Sequence, residues 1–160
     1  MKIGFASDHR GYALKQQLMK ELSKEYDVVD YGTHSEESTD YPDYAFLLGE
    51  NVANKQVSFG VAICGSGIGI SIACNKVLGV RCAKVSTAEE AEITRIDNDA
   101  NIVALSEKTT LLDALNIVKT FIETEHTALE KHQRRIRKII RTYYCLLIFL
   151  HQILQCLQLP

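Results

Sequence analysis

The segment Gly65-Ser66-Gly67-Ile68-Gly69 follows an apolar run, VSFGVAIC, that ends on Cys64. A glycine-rich turn between a strand and a helix lets the backbone approach a ligand, and the N–H groups that open the helix carry partial positive charge. Such a turn suits an anion. It is not a nucleotide loop of either common kind. No Lys follows where a phosphate-binding loop ends in GKS or GKT, and Ile70 stands where a dinucleotide fingerprint has its third glycine. The plain alternative is a strand–helix turn with no ligand. Cys64 precedes these N–H groups directly. A thiolate there is stabilised, so the thiol can serve as nucleophile or base. The alternative is an inert core cysteine, and that is the reading for Cys74 and Cys82, which fall on predicted core elements.

Three further groups have chemistry to offer. Asp8 and His9 follow the first apolar run, where Asp8 is also a candidate helix cap. Asp97-Asn98-Asp99-Ala100-Asn101 precedes the fifth apolar run, with a turn as its plain reading. Lys131 and Arg135 are four apart and share a helix face, which suits a phosphate or is a solvated face.

The elements that must position these residues alternate. Ile3–Ala6 predicts a strand, and Leu14, Leu18 and Leu22 at every fourth residue predict a helix. Tyr26–Tyr31 predicts a second strand. Tyr41, Tyr44, Ala45, Leu48 and Val52 then share a helical face behind Pro42. Val57–Cys64 predicts a third strand, Ile70–Lys76 a helix and Val80–Val85 a fourth strand. Thr87 with Glu90 forms a capping box. Ile102–Leu105 predicts a fifth strand and Thr110–Glu123 a helix. This alternation predicts an α/β fold: a five-stranded parallel sheet with helices on both faces, a Rossmann-like three-layer sandwich with a C-terminal helical extension. The common strand order 2-1-3-4-5 puts the first and third strands at the switch point, and so gathers Asp8, His9 and Cys64.

Composition narrows the partners. Lys plus Arg number 18 against 20 Asp plus Glu, a net charge of −2, which argues against a nucleic-acid binder. Five cysteines without CxxC spacing indicate neither a disulfide framework nor a zinc site, but reduced thiols. No metal or nicotinamide cofactor is expected. Asp8, His9 and Arg10 interrupt any signal-peptide layout, and the longest apolar run, Tyr143–Leu150, is far short of a membrane span. The expectation is a cytoplasmic protein with no membrane partner. Residues 1–127 read as the sheet domain and 128–160 as a C-terminal helix with an apolar tail. In that tail Ile136, Ile140, Tyr143, Leu147, Leu150, Leu154 and Leu157 step alternately by four and three, a seam for a partner subunit.

The segments FASDHRGYALK, STDYPDYA, GVAICGSGIGISIACNKVLGVRCA, RIDNDANIVAL and EKHQRRIRKI, in this order, resemble ribose-5-phosphate isomerase type B. That family includes galactose- and allose-6-phosphate isomerases. The resemblance covers about residues 1–142, and CGSGIGISIACNK is its most specific part. It implies a metal-independent aldose–ketose isomerase of the pentose phosphate pathway. It also implies a homodimer, or a homotetramer built as a dimer of dimers, with sites shared between subunits. The base falls on Cys64, with Ser66 and Asp97 beside it in catalysis. The backbone of Gly65, Ser66, Gly67, Ile68 and Gly69 would hold the enediolate oxygens. Asp8 and His9 match substrate contacts, Asn98 a contact to sugar oxygens, and Lys108, Lys131 and Arg135 a phosphate clamp.

Three positions depart from the family pattern. Asp97 stands where many members have a His assigned to ring opening. Lys108 and Lys131 stand where Arg is common, and Lys lacks the bidentate fork. The extension after Arg141 runs past the usual end. The expected reaction is interconversion of D-ribose 5-phosphate and D-ribulose 5-phosphate. The alternatives are a hexose-6-phosphate isomerase on the same scaffold and a non-catalytic sugar-phosphate-binding module, which would need the glycines but not the thiol.

Overall fold

Three strands with little polar surface occupy the middle of the sheet. They are β1 (Lys2–Ser7), β3 (Phe59–Cys64) and β5 (Ile102–Ser106), buried along almost their whole length. Strands buried on both faces read as continuous apolar runs rather than alternations, as these do. The shorter strands β2 (Asp27–Asp30) and β4 (Cys82–Lys84) are half exposed and lie at the edges. Helices α1 (Tyr12–Leu22), α2 (Tyr41–Ala53), α3 (Ile68–Cys74), α4 (Ala88–Asn98) and α5 (Leu111–Glu123) connect and cover them. The computed structural model describes residues 1–140. It divides into one compact unit, Met1–Thr127, and a second beginning at Ala128, helical from 130 to 140. The heptad seam lies almost wholly beyond residue 140, outside the described residues, as do Cys145 and Cys156.

The sheet is parallel throughout, with the order β2-β1-β3-β5-β4. This corrects the expected 2-1-3-4-5 order. The Ile-Val-Ala-Leu stretch of β5 is buried on both faces and takes the inner position, while β4 ends in the exposed Lys84 and takes the edge. Because β4 leads back inward to β5, a right-handed crossover must lie on the face opposite α3. Accordingly α4 packs with α5 on the face of α1, and α3 packs with α2 on the other. The adjacency of β1 and β3, on which the site depends, is the same in either order.

The two faces differ in side-chain size. Ile3, Phe5, Val61, Ile63, Val103 and Leu105 point to the side of α1 and α5, where Leu14, Leu18, Ile117 and Phe121 complete the core. Full burial of each such side chain contributes about 1.5–3 kcal/mol. The alternate residues are small: Ala6, Ala62, Cys64 and Ala104 meet Ala45, Leu48 and Ile70. Gly4 and Gly60 extend this small face, and a Cβ on Gly4 would stand 2.8 Å from Leu48 Cδ1. The two-residue period thus puts Cys64 on the α2–α3 side, and one residue past β1 it puts Asp8 there too.

Several boundaries moved, two of them for a clear local reason. Helix α3 opens at Ile68, two residues earlier than expected, because Gly67 completes the turn in the left-handed region at φ 78°. The fourth strand shrinks to Cys82–Lys84, since Arg81 N–H donates to the Asn101 side chain at 2.8 Å rather than to a strand. Thr87 caps α4 as expected by accepting Glu90 N–H at 3.2 Å, while the Glu90 carboxylate accepts Ser86 N–H.

Candidate active site

Cys64 ends β3 at 4% exposure. Its Sγ accepts the Gly67 N–H at 3.2 Å, and its carbonyl accepts the Glu107 N–H at 2.9 Å. The sulfur is therefore held by the loop that follows it. The glycines have separate reasons to be glycine. Gly67 has positive φ, and a Cβ there would lie 2.8 Å from the Leu105 carbonyl carbon. Gly65 and Gly69 are covered from outside, by the Arg10 guanidinium and the Tyr41 ring. Ser66 is exposed, and its Oγ accepts the Ile68 N–H at 3.2 Å. Two of the loop's N–H groups, those of Gly67 and Ile68, are thus engaged within the loop itself.

Asp8 is 6% exposed and lies beside β3, its own N–H donating to Ile63 O at 3.3 Å. Its Oδ1 accepts the Gly11 N–H at 3.0 Å, which closes the turn ahead of α1; the N-cap itself is Gly11, without a side-chain cap, so Asp8 does not take the expected capping position. Gly11 has no room for a side chain, since a Cβ would stand 2.6 Å from Ile63 O. His9 turns to the polar loop before α2, its Nδ1 lying 3.2 Å from both N and O of Thr39. That loop is anchored from below. The fully buried Lys15 pairs with Asp30 and donates to Thr33 O at 2.6 Å. Burial pulls the Lys15 amine down, and the hydrogen bond and charge of Asp30 oppose it.

An open cleft of about 360 Å³ joins these pieces, lined by Asp8, Arg10, Tyr41, Cys64, Gly65, Ser66, Gly69 and Lys108. It lies at the carboxyl ends of β1, β3 and β5, where open α/β sheets take ligands. Arg10 pairs with Glu107 across it. The hydrogen bond and charge of Glu107 raise the guanidinium, with smaller contributions from Asp8 and Cys64. Asp8, Cys64, Gly65, Ser66, Gly69 and Lys108 are brought together in this cleft.

Asp97 and Asn98 are not brought to this cleft. They end α4, ahead of β5, and Arg81 Nε donates to Asn98 O at 3.0 Å. Strand β5 runs from Ile102, just beyond them, to Ser106, the register partner of Cys64, so about 13 Å of strand separates the two ends. Lys131 and Arg135 belong to the second unit, exposed on the helix from 130 to 140. Among the described residues no three His, Cys, Asp or Glu side chains gather in a metal-binding group. None of the described helices is long and apolar enough to cross a membrane.

Two lining residues escaped the sequence reading. Tyr41 shares the helical face of Tyr44, Ala45, Leu48 and Val52 in sequence, yet it is 36% exposed and lies on Gly69. Its position just before Pro42, at the helix mouth, was the available signal. Arg10 follows Asp8-His9 directly, but its partner is 97 residues away.

Fold and cleft together define a doubly wound, Rossmann-like α/β protein with a loop-held thiol at the switch point between β1 and β3. The particular family follows from comparison: the model described as Ribose/Galactose Isomerase matches residues 3–139, and the chain belongs to that family. Ribose-5-phosphate isomerase B of Escherichia coli is 38% identical over 140 residues, covering 86% of this chain and 93% of that protein. The structure of Clostridium thermocellum ribose-5-phosphate isomerase B superposes with a TM-score of 0.87 at 44% identity, covering 90% of this chain and 98% of the other. That of the Mycoplasma genitalium enzyme with bound ribulose-5-phosphate gives 0.83 at 38% identity, covering 89% and 96%.

Proposed function

We propose that the chain interconverts D-ribose 5-phosphate and D-ribulose 5-phosphate through an enediolate. The observation that carries this reading is the Cys64 sulfur, held 3.2 Å from Gly67 N in the cleft of a chain of this family. In the forward step the thiolate takes the proton from C2 of the open-chain aldose. The electron pair forms the C1–C2 double bond and charge moves to the carbonyl oxygen. Return of the proton from the thiol to C1, with transfer of the hydroxyl proton between O2 and O1, completes the ketose. General-base assistance of this kind contributes about 10²–10⁴ in rate.

The loop from Gly65 to Gly69, with Ser66, serves the developing oxyanion, and Asp8 binds sugar hydroxyls. His9 and Lys108 serve the phosphate, and Lys131 and Arg135 reach it from a second copy across the subunit interface. Asp97 and Asn98 lie at the amino end of β5, opposite the cleft, so we assign their roles in ring opening and in binding sugar oxygens to the site of a second copy. Exposed Ile68 and Ile72, one turn apart on α3, support such self-association. The three described cysteines are free, which fits a reducing compartment such as the cytoplasm.

Turnover measured across ribose 5-phosphate, allose 6-phosphate and galactose 6-phosphate tests the reading. Preference for ribose 5-phosphate is expected. A preference for a hexose phosphate moves the assignment to that substrate, and binding without turnover of any of the three overturns it.

A further inference from the structure

In the sheet β3 runs between β1 and β5, so the turns after β1 and β5 stand on either side of it. Arg10 from the first turn and Glu107 from the second meet in an ion pair above β3. The guanidinium passes so close that a Cβ on Gly65 would stand 2.9 Å from Cζ. The pair is therefore a bar over the carboxyl end of β3, one residue beyond Cys64. Its far post is fixed, because Glu107 N–H donates to Cys64 O at 2.9 Å and Ser106 Oγ donates to Gly65 O at 2.8 Å. Its near post is not, since the Arg10 side chain is 53% exposed.

A surface ion pair of this exposure contributes little to stability. Its place says more. Arg10 lines the cleft together with Lys108, and a guanidinium has five N–H donors, of which one carboxylate engages two at most. The acidic groups around it are Glu107, Asp8 and the Cys64 thiol, and the other cation is Lys108. A phosphate dianion carries more charge than Glu107 and accepts the same bidentate geometry.

We propose that Arg10 is a further substrate-binding residue that takes the substrate's phosphate together with Lys108, and that Glu107 is its internal competitor, displaced from the guanidinium as the phosphate enters. This rests on the cleft being a sugar-phosphate site. It makes the two halves of one ion pair act in opposite directions. Removing Arg10 removes a phosphate contact. Removing the Glu107 charge removes a rival for that contact.

The test uses the full chain, with calorimetric titration of inorganic phosphate beside steady-state kinetics on ribose 5-phosphate. Arg10→Met is expected to weaken phosphate binding by about 10- to 100-fold. KM should rise in step while kcat stays within about threefold. Arg10→Lys should recover part of the loss. Glu107→Gln is expected to tighten phosphate by a few-fold, and both effects should shrink at high salt. Equal weakening by Arg10→Met and Glu107→Gln, matched by equal losses in Tm, would make the pair a structural strap and overturn the proposal. Unchanged phosphate binding with a lowered kcat in Arg10→Met would overturn it as well, by moving Arg10 to the reacting end. If the chain turns over no sugar phosphate while the opposite shifts persist, the isomerase reading fails and the anion contact of Arg10 stands.

Discussion

A thiol that is to act as a base has to be held in place, and the Gly67 N–H, 3.2 Å from Sγ, holds Cys64. Cys64→Ala should lower kcat/KM by about 10²–10⁴. Phosphate should still bind within about tenfold, because no phosphate contact is lost. Solvent-isotope exchange at C2 of the substrate measures the step directly, and exchange at the wild-type rate in this variant would remove Cys64 as the base. The position of Cys64 was legible in the sequence because it depends on local facts: a strand that ends there and glycines that follow. The neighbours that cross the cleft were not legible. Arg10 and Glu107 are far apart in sequence, and nothing local to either announces the other.

At the scale of the element, the loop from Cys64 to α3 depends on one backbone conformation. An alanine at Gly67 would hold a positive φ and press its Cβ against the Leu105 carbonyl carbon at 2.8 Å. Gly67→Ala should therefore cost at least about 1–2 kcal/mol in urea unfolding and most of the activity. Gly69→Ala should cost less, because what it meets is the Tyr41 ring, which can turn away. Equal costs for the two would show that the turn tolerates an L-residue at Gly67. Helix α5 depends on its cap in the same local way. Thr110 Oγ1 accepts the Asp113 N–H at 3.2 Å, and Thr110→Ala should lower stability by about 1 kcal/mol without changing KM.

At the scale of the whole molecule, Tyr26 joins the start of β2 to the end of α5 through its hydroxyl, which donates to Glu123 at 2.8 Å. Burial, then the hydrogen bond and charge of Glu123, push the phenol up to about 12 from an ordinary 10. A raised folded-state value means stability that is fully present below pH 10 and lost as pH rises from there to about 12. Urea midpoints followed across that window should fall more steeply for the wild type than for Tyr26→Phe, and parallel curves would contradict the assignment. The assembly is testable by complementation. A Cys64→Ala chain and an Asp97→Ala, Asn98→Ala chain should each be inactive. Mixed and reassociated, they should recover about a quarter of wild-type activity if each site draws on two copies of a symmetric dimer. No recovery from a demonstrated mixed dimer would place each site within one chain.

Features that depend on near neighbours were legible along the chain. Alternating strand and helix periods settled the α/β class, and the two-residue period of β1 and β3 put Asp8 and Cys64 on one side of the sheet. The glycines after Cys64 marked the loop. Which strand lies inside emerged from the packing of the whole sheet. β5 and β4 compete for that place, and the winner is the one that can bury both faces. A crossover of fixed hand then sends α4 and α5 to the face of α1. The same long-range choice carried Asp97 and Asn98 to the amino end of β5, away from Cys64, laid Tyr41 on Gly69 and brought Arg10 to Glu107. Such contacts are properties of packed surfaces rather than of spacing along the chain, and so they appear only once the sheet has closed on its helices.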